Sequence, residues 1–114
     1  AMILITHDLG IVAEQADEVA VMYAGRIVEQ ASAVDVFERP LHPYTVALME
    51  AARQRHGVRQ ERLTALPGTV PSLFARPSGC RFRDRCPRAI AECAEIDPLL
   101  EAKAPGHTAA CIRV

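Results

Sequence analysis

The sequence lacks a strong net charge, a long hydrophobic run and a phosphate-binding loop, and each absence excludes a class of function. The formal net charge is −1, which gives no reason to expect nucleic acid or an anionic membrane as a partner. The opening "AMILI" is apolar, but it is too short for a signal peptide or a membrane-spanning helix. No G-x-x-x-x-G-K-[ST] stretch occurs, so nothing here can cradle nucleotide phosphates. We therefore expect a cytoplasmic chain.

Paired C-x2-C knuckles are absent too, although the chain has four cysteines, Cys80, Cys86, Cys93 and Cys111. In the cytosol thiols stay reduced, so metal ligands or small buried side chains are favoured over disulfides. Pro87 predicts a helix start, which would place Cys86 and Cys93 two turns apart, with Cα atoms separated by about 10 Å. That exceeds the reach of a disulfide, about 7 Å, whereas a larger inorganic core could bridge the gap.

Charged residues surround these cysteines, chiefly Arg81, Arg83, Arg85 and Arg88. We expect their positive field to lower the pKa values of the thiols and to offset the negative charge of a cluster held by four thiolates. The alternative is a solvated basic face. His107 could replace a ligand or donate to a cluster sulfur, or it could simply pack or cap.

Hydrophobic patterning predicts an α/β fold for the first part of the chain. The run "MILIT" (2–6) predicts a strand buried on both faces of a parallel sheet. Asp8 is placed to cap a helix that follows. The apolar segments "EVAVMYA" (18–24) and "RIVEQ" (26–30) predict a hairpin that turns at Ala24 and Gly25.

Two further helices and a change of composition complete the organisation. Ser32 and Asp35 predict the start of a short helix, and Pro43 predicts the first residue of another, with an apolar stripe of Tyr44, Leu48 and Ala51. We expect three segments: an α/β piece (1–54), a linker rich in Pro and Gly (55–79) and a four-cysteine metal-binding extension (80–114). The buried strands lack covering layers, so we expect the chain to be part of a longer protein.

Five blocks of the sequence carry a family resemblance. The stretch "ILITHDLGIVAEQADEVAVMYAGRIVE" resembles the segment after the catalytic glutamate of an ABC transporter ATPase domain, and His7 matches the switch histidine of that family. The later blocks "HPYTVALMEA", "LPGTVPSL", "GCRFRDRCPRAIAEC" and "GHTAAC" resemble the C-terminal extension of the oligopeptide and dipeptide importer ATPases. The resemblance covers essentially the whole chain.

This resemblance implies a partial ABC ATPase core followed by a loop-rich extension. It implies that His7 reaches the γ-phosphate of Mg-ATP and the attacking water in the intact subunit. It also implies that Cys80, Cys86, Cys93 and Cys111 hold a [4Fe-4S] cluster, with structural zinc, disulfides or free thiols as alternatives. The implied partners are a second ABC ATPase subunit and transmembrane permease subunits, and the implied location is the cytoplasmic face of the inner membrane.

The sequence departs from that family pattern in its catalytic motifs. The phosphate-binding loop, an LSGGQ-like signature and an acidic residue closing an upstream strand are all missing, so the chain alone should not hydrolyse ATP. One rival interpretation is a free-standing iron–sulfur or zinc module for sensing or interaction. Another is a fragment whose exposed sheet edge pairs with a second copy. For His7, the alternative to a catalytic role is a histidine that caps the end of a strand and binds no ligand.

Overall fold

The computed structural model describes residues 1–56 and 66–114. Residues 57–65, which form part of the predicted linker (55–79), lie outside the described residues. In chain order the elements are α1 (Leu9–Gln15), β1 (Glu18–Tyr23), β2 (Arg26–Ser32), α2 (Ala33–Glu38), α3 (Pro43–His56), two 3₁₀ helices (Arg83–Arg85 and Ala91–Ala94), β3 (Glu101–Ala104) and β4 (His107–Ala109).

The four strands of the described residues form one antiparallel sheet in the order β1-β2-β4-β3. Ala24 and Gly25 turn the β1–β2 hairpin with φ of 47° and 75°, the left-handed pair that matches the twist of a two-residue hairpin. β2 also pairs with β4, with Glu29 opposite Ala109. The predicted α/β class is confirmed, and the sheet joins the first part of the chain to the cysteine-containing part.

Local signals place the helix starts as predicted. Asp8 caps α1 by accepting the backbone N–H groups of Gly10 and Ile11 at 2.9 and 3.2 Å. Ser32 caps α2 by accepting the N–H of Asp35 at 3.1 Å. Each cap satisfies a donor that the first helical turn leaves without a partner. α3 begins at Pro43, as expected from the fixed φ of proline.

The predicted strand at residues 2–6 is wrong for this chain. These residues adopt no strand, and Ile3 and Ile5 are 92% and 95% exposed. A strand that buries both faces needs a neighbour on each side, and no strand of the described residues lies beside this segment. Apolar composition alone therefore does not form the strand.

The predicted helix from Pro87 is also wrong. The backbone turns at Pro87 and Arg88, and Ile90 is extended with φ −127° and ψ 169°. Cys93 then lies on the separate 3₁₀ helix of residues 91–94. The two-turn separation expected for Cys86 and Cys93 therefore does not apply, because an extended residue between them redirects the chain.

The core is built by both parts of the chain around Phe82, which is 1% exposed. Its ring packs 5.1 Å from the ring of Tyr23 and 5.5 Å from that of Tyr44. Met49 of α3 is buried in the same cluster, whereas Ala51 of the predicted stripe is exposed. Burying this ring anchors the cysteine-containing loops on the hairpin and on α3.

Candidate functional site

Cys80, Cys86, Cys93 and Cys111 line one small cavity, together with side chains that include His42 and Phe82. All four are free thiols; Cys93 and Cys111 are buried, and Cys80 and Cys86 are half-buried. The first and last of these residues are 31 positions apart in the sequence, yet the fold brings all four to the same place. Their role as metal ligands stays a prediction.

Gly79 makes the closest approach of two cysteine segments possible. It has φ of +65°, and a Cβ atom built on it would lie 2.3 Å from the carbonyl oxygen of Cys93. The next residue uses this proximity, because the backbone N–H of Cys80 donates to that same oxygen at 2.8 Å. Only glycine combines this backbone conformation with this contact.

Backbone N–H groups are directed at the sulfur atoms. The N–H of Arg88 donates to Cys86 Sγ and the N–H of Arg113 donates to Cys111 Sγ, both at 3.4 Å. In each case the donor is two residues after the cysteine. Such N–H groups favour the thiolate form and stabilise sulfur that carries negative charge.

The expected lowering of the thiol pKa values by arginine is wrong for Cys80 and Cys86. Burial raises the pKa of both thiols above the usual range. For Cys86 the charge of Arg88 acts in the opposite direction, but it is a smaller influence than burial. Desolvation disfavours an isolated thiolate more than the nearby cations favour it.

The arginine side chains bind backbone carbonyl groups of the surrounding loops. Arg81 donates to the carbonyl of Ala24 in the hairpin turn at 2.7 Å, and Arg83 donates to the carbonyl of Ser78 at 2.7 Å. Two more side chains bind backbone carbonyls: Arg85 that of Pro67 and Arg88 that of Arg113. These bonds tie irregular loops together. Compensation of a cluster charge stays a prediction.

Within residues 1–56 and 66–114, no three His, Cys, Asp or Glu side chains are grouped closely enough to hold a single metal ion. A zinc site needs sulfur atoms about 2.3 Å from one ion, so the cavity is not a preformed zinc site. The same finding gives no support for a preformed iron–sulfur site among the described residues. By residue type, four cysteines around one cavity, with N–H groups directed at two of the sulfur atoms, match the ligand set of an iron–sulfur cluster, and the cluster assignment stays a prediction.

A buried polar network adjoins the cavity, and the sequence did not indicate it. Glu29 of β2 is fully buried, and its two carboxylate oxygens accept the N–H groups of Leu41 and His42, each at 2.8 Å. His107 of β4 lies 2.6 Å from Glu29 Oε1 through its Nε2. Burial lowers the pKa of His42 to about 4. The available signal was a carboxylate directly after the apolar pair Ile27 and Val28 in the strand "RIVEQA".

Comparison with known proteins establishes the relationship. Residues 28–93 match the family model for the C-terminal region of the oligopeptide/dipeptide transporter. The chain belongs to this family. The region that matches the transporter family includes Glu29 and three of the four cysteines, and it ends at Cys93, before Cys111.

Three relatives are similar along nearly the whole chain. The "Probable peptide ABC transporter ATP-binding protein y4tR" of Sinorhizobium fredii is 57% identical over 99% of this chain and 34% of its own length. The oligopeptide transport ATP-binding protein OppD of Salmonella typhimurium is 47% identical over 99% of this chain and 33% of its own. The dipeptide transport ATP-binding protein DppD of Escherichia coli is 45% identical over 97% of this chain and 34% of its own length.

The chain therefore spans about a third of the length of these curated relatives. His7 lies ahead of the region that matches the transporter family, in an exposed bend immediately before the capping residue Asp8. Its catalytic role stays a prediction. Among the described residues, no helix has the length and apolar composition that crossing a bilayer requires.

Proposed function

We propose that this chain is the C-terminal part of the ATP-hydrolysing subunit of a peptide ABC importer. The observation that carries this proposal is the collinear similarity of 97–99% of the chain to ATP-binding proteins named for peptide, oligopeptide and dipeptide transport. Its partners are a second ATPase subunit and transmembrane permease subunits, on the cytoplasmic face of the inner membrane. Residues 1–54 are the ATPase piece, 55–79 the linker and 80–114 the extension.

Within that subunit, His7 acts on the γ-phosphate of ATP. An imidazole can donate a hydrogen bond to the negative charge that develops on the transferring phosphoryl group. The exposed position of His7 just before a capped helix leaves its ring accessible to a nucleotide held by other parts of the intact subunit. The chain itself carries no phosphate-binding loop, so it contributes one catalytic group rather than a whole site.

The test uses the intact subunit with its partners. His7→Ala should lower ATP turnover by two orders of magnitude or more, as about 10²–10³-fold is typical for one lost electrostatic donor, while nucleotide binding is kept. Glu14→Gln, on the exposed surface of α1, is the matched control and should keep normal turnover. Normal turnover in His7→Ala would refute the catalytic role.

We also propose that Cys80, Cys86, Cys93 and Cys111 hold a [4Fe-4S] cluster in residues 80–114. Support comes from their shared cavity and from the N–H groups directed at Cys86 and Cys111. When bound, a cluster supplies folding free energy through its iron–thiolate bonds, which an extension with little apolar core of its own needs. The chain's own residues hold the loops in place and shield the sulfur atoms from water.

Anaerobic purification followed by iron, sulfide and zinc analysis tests this assignment. We expect about four iron and four sulfide per chain, since four cysteines ligate one such cluster. Cys111→Ser removes a ligand and should lower the iron content sharply. A colourless protein with one zinc and no sulfide would overturn the cluster assignment while leaving the ATPase assignment intact.

A further inference from the structure

We propose that Glu29 is a positioning residue for the cysteine cavity: its buried carboxylate fixes His42 and the strand that leads into Cys111. The proposal rests on the proposed function in one respect, that the four cysteines bind an iron–sulfur cluster. Glu29 does not touch the cluster in this assignment. It acts through two walls of the cavity that come from distant parts of the chain.

The carboxylate of Glu29 is completely enclosed, and each of its two oxygens has a hydrogen-bond partner. Oε1 accepts the N–H of Leu41 and the Nε2–H of His107, at 2.8 and 2.6 Å, and Oε2 accepts the N–H of His42 at 2.8 Å. Glu29 has no solvent exposure, and His107 is 4% exposed. A carboxylate without water depends on every such partner, so this arrangement specifies the position of each group around it.

His42 forms the first of the two cavity walls that contact Glu29. Its backbone N–H is held by the carboxylate, and its ring Nδ1 accepts the N–H of Tyr44 at 3.1 Å. These two bonds fix the backbone and the ring orientation at the start of α3. The ring lines the cysteine cavity, so displacement at Glu29 is passed directly to the cavity wall.

The second wall is the segment that carries Cys111. Glu29 pairs with Ala109 in the β2–β4 register, and the N–H of Ala110 donates to the carbonyl of Val28 at 2.8 Å. His107 adds a side-chain bond to the same strand pair. Cys111 follows immediately, so its sulfur is placed by the alignment of β4 on β2.

Glutamine at position 29 tests this directly because it keeps the shape and changes the bonding. Its amide nitrogen is a donor, so one of the N–H groups of Leu41 and His42 would lose its acceptor. His107→Gln keeps an N–H donor near the position of Nε2, whereas His107→Leu removes it. These variants alter the bonding to Glu29 without altering any of the four cysteines, and His107 is not among the residues that line the cavity.

The experiment measures a cluster rather than ATP turnover. Each variant of the intact subunit is reconstituted anaerobically with ferrous iron and sulfide, and the decay of the cluster's visible absorbance is followed in excess iron chelator. Glu29→Gln and His107→Leu should shorten the cluster lifetime by about 10- to 100-fold, the usual effect of removing a supporting group at a metal site. His107→Gln should stay within about threefold of the unmodified protein, well short of that effect.

Two controls separate positioning from general stability. Glu18→Gln changes an exposed carboxylate on β1 and should have no effect, and Ser32→Ala weakens the cap of α2 away from the cavity and should keep the normal lifetime. An equal loss in Ser32→Ala would overturn the positioning role. So would normal lifetimes in Glu29→Gln and His107→Leu. If Glu29→Gln fails to fold, equal lifetimes in the two His107 variants would overturn the role in the same way.

The wild-type result distinguishes the two proposals. If the unmodified protein takes up no iron and sulfide, the cluster assignment and the positioning role both fail. If it takes up a cluster whose lifetime is unaffected by Glu29→Gln and by both His107 variants, the cluster assignment stands and only the role of Glu29 fails.

Discussion

Gly79→Ala should destabilise the chain far more than the same substitution at Gly106. Both glycines have left-handed backbones, with φ of +65° and +68°, which cost an alanine about 1–2 kcal/mol. At Gly79 the added Cβ would also lie 2.3 Å from the Cys93 oxygen and 2.7 Å from the carbonyl carbon of Ala94. Both contacts are with backbone, so relieving them shifts two segments and costs about 1–3 kcal/mol more.

Gly106 is the matched control because no atom of the described residues lies within 4 Å of the Cβ position there. We therefore expect the free energy of unfolding to fall by about 2–5 kcal/mol in Gly79→Ala and by about 1–2 kcal/mol in Gly106→Ala. Alanine also restricts the unfolded chain equally at both sites, so the difference between the variants isolates the close approach of the two cysteine segments.

Urea unfolding measures this difference. The chain has no tryptophan and two tyrosines, and both tyrosine rings pack against Phe82, so tyrosine fluorescence reports on the shared core. The midpoint should fall in Gly79→Ala with little change in slope. Equal losses in the two glycine variants would show that the contact with the Cys93 carbonyl is not a constraint on the fold.

Three further outcomes follow from the core, the caps and the buried histidine. Phe82→Ala should lower the free energy of unfolding by about 3–5 kcal/mol, while Phe74→Ala, at a fully exposed ring, should leave it unchanged. Ser32→Ala should cost about 1 kcal/mol through loss of the α2 cap, measured by the same urea titration. Since burial lowers the pKa of His42 from 6.5 to about 4, the unfolded metal-free chain binds a proton that the folded chain excludes. Stability should therefore fall by up to about 3 kcal/mol as pH drops from 6.5 to 4, and His42→Gln should remove that part of the slope.

Local chemistry made much of the first part of the chain predictable. The caps at Asp8 and Ser32, the start of α3 at Pro43 and the turn at Ala24 and Gly25 each depend on a few neighbouring residues. A side chain that satisfies a nearby N–H, or a glycine that accepts positive φ, acts whatever the rest of the fold does. Patterns of this range can be recognised in one sequence.

Pairing between distant segments could not be predicted in this way. Residues 2–6 have the composition of a strand but have no partner strand in the described part of the chain. β4 gains a partner in β2 although its sequence, "HTA", has no strong strand signal. The helix expected from Pro87 could not be excluded from the sequence either, because the extended backbone of Ile90, which prevents it, is seen only in the structure. The four cysteines could be predicted as metal ligands from their residue type. The proposed supporting role of Glu29 could be inferred only from the tertiary structure.

The bond between Glu29 and His107 joins residues 78 positions apart, which has a consequence for biosynthesis. During translation the hairpin and α3 leave the ribosome long before β4 does. Until then the inner edge of β2 has no neighbour and the Glu29 carboxylate lacks its histidine. Contacts of such long range slow folding, so a nascent polypeptide halted before residue 107 should expose this edge to chaperones and proteases.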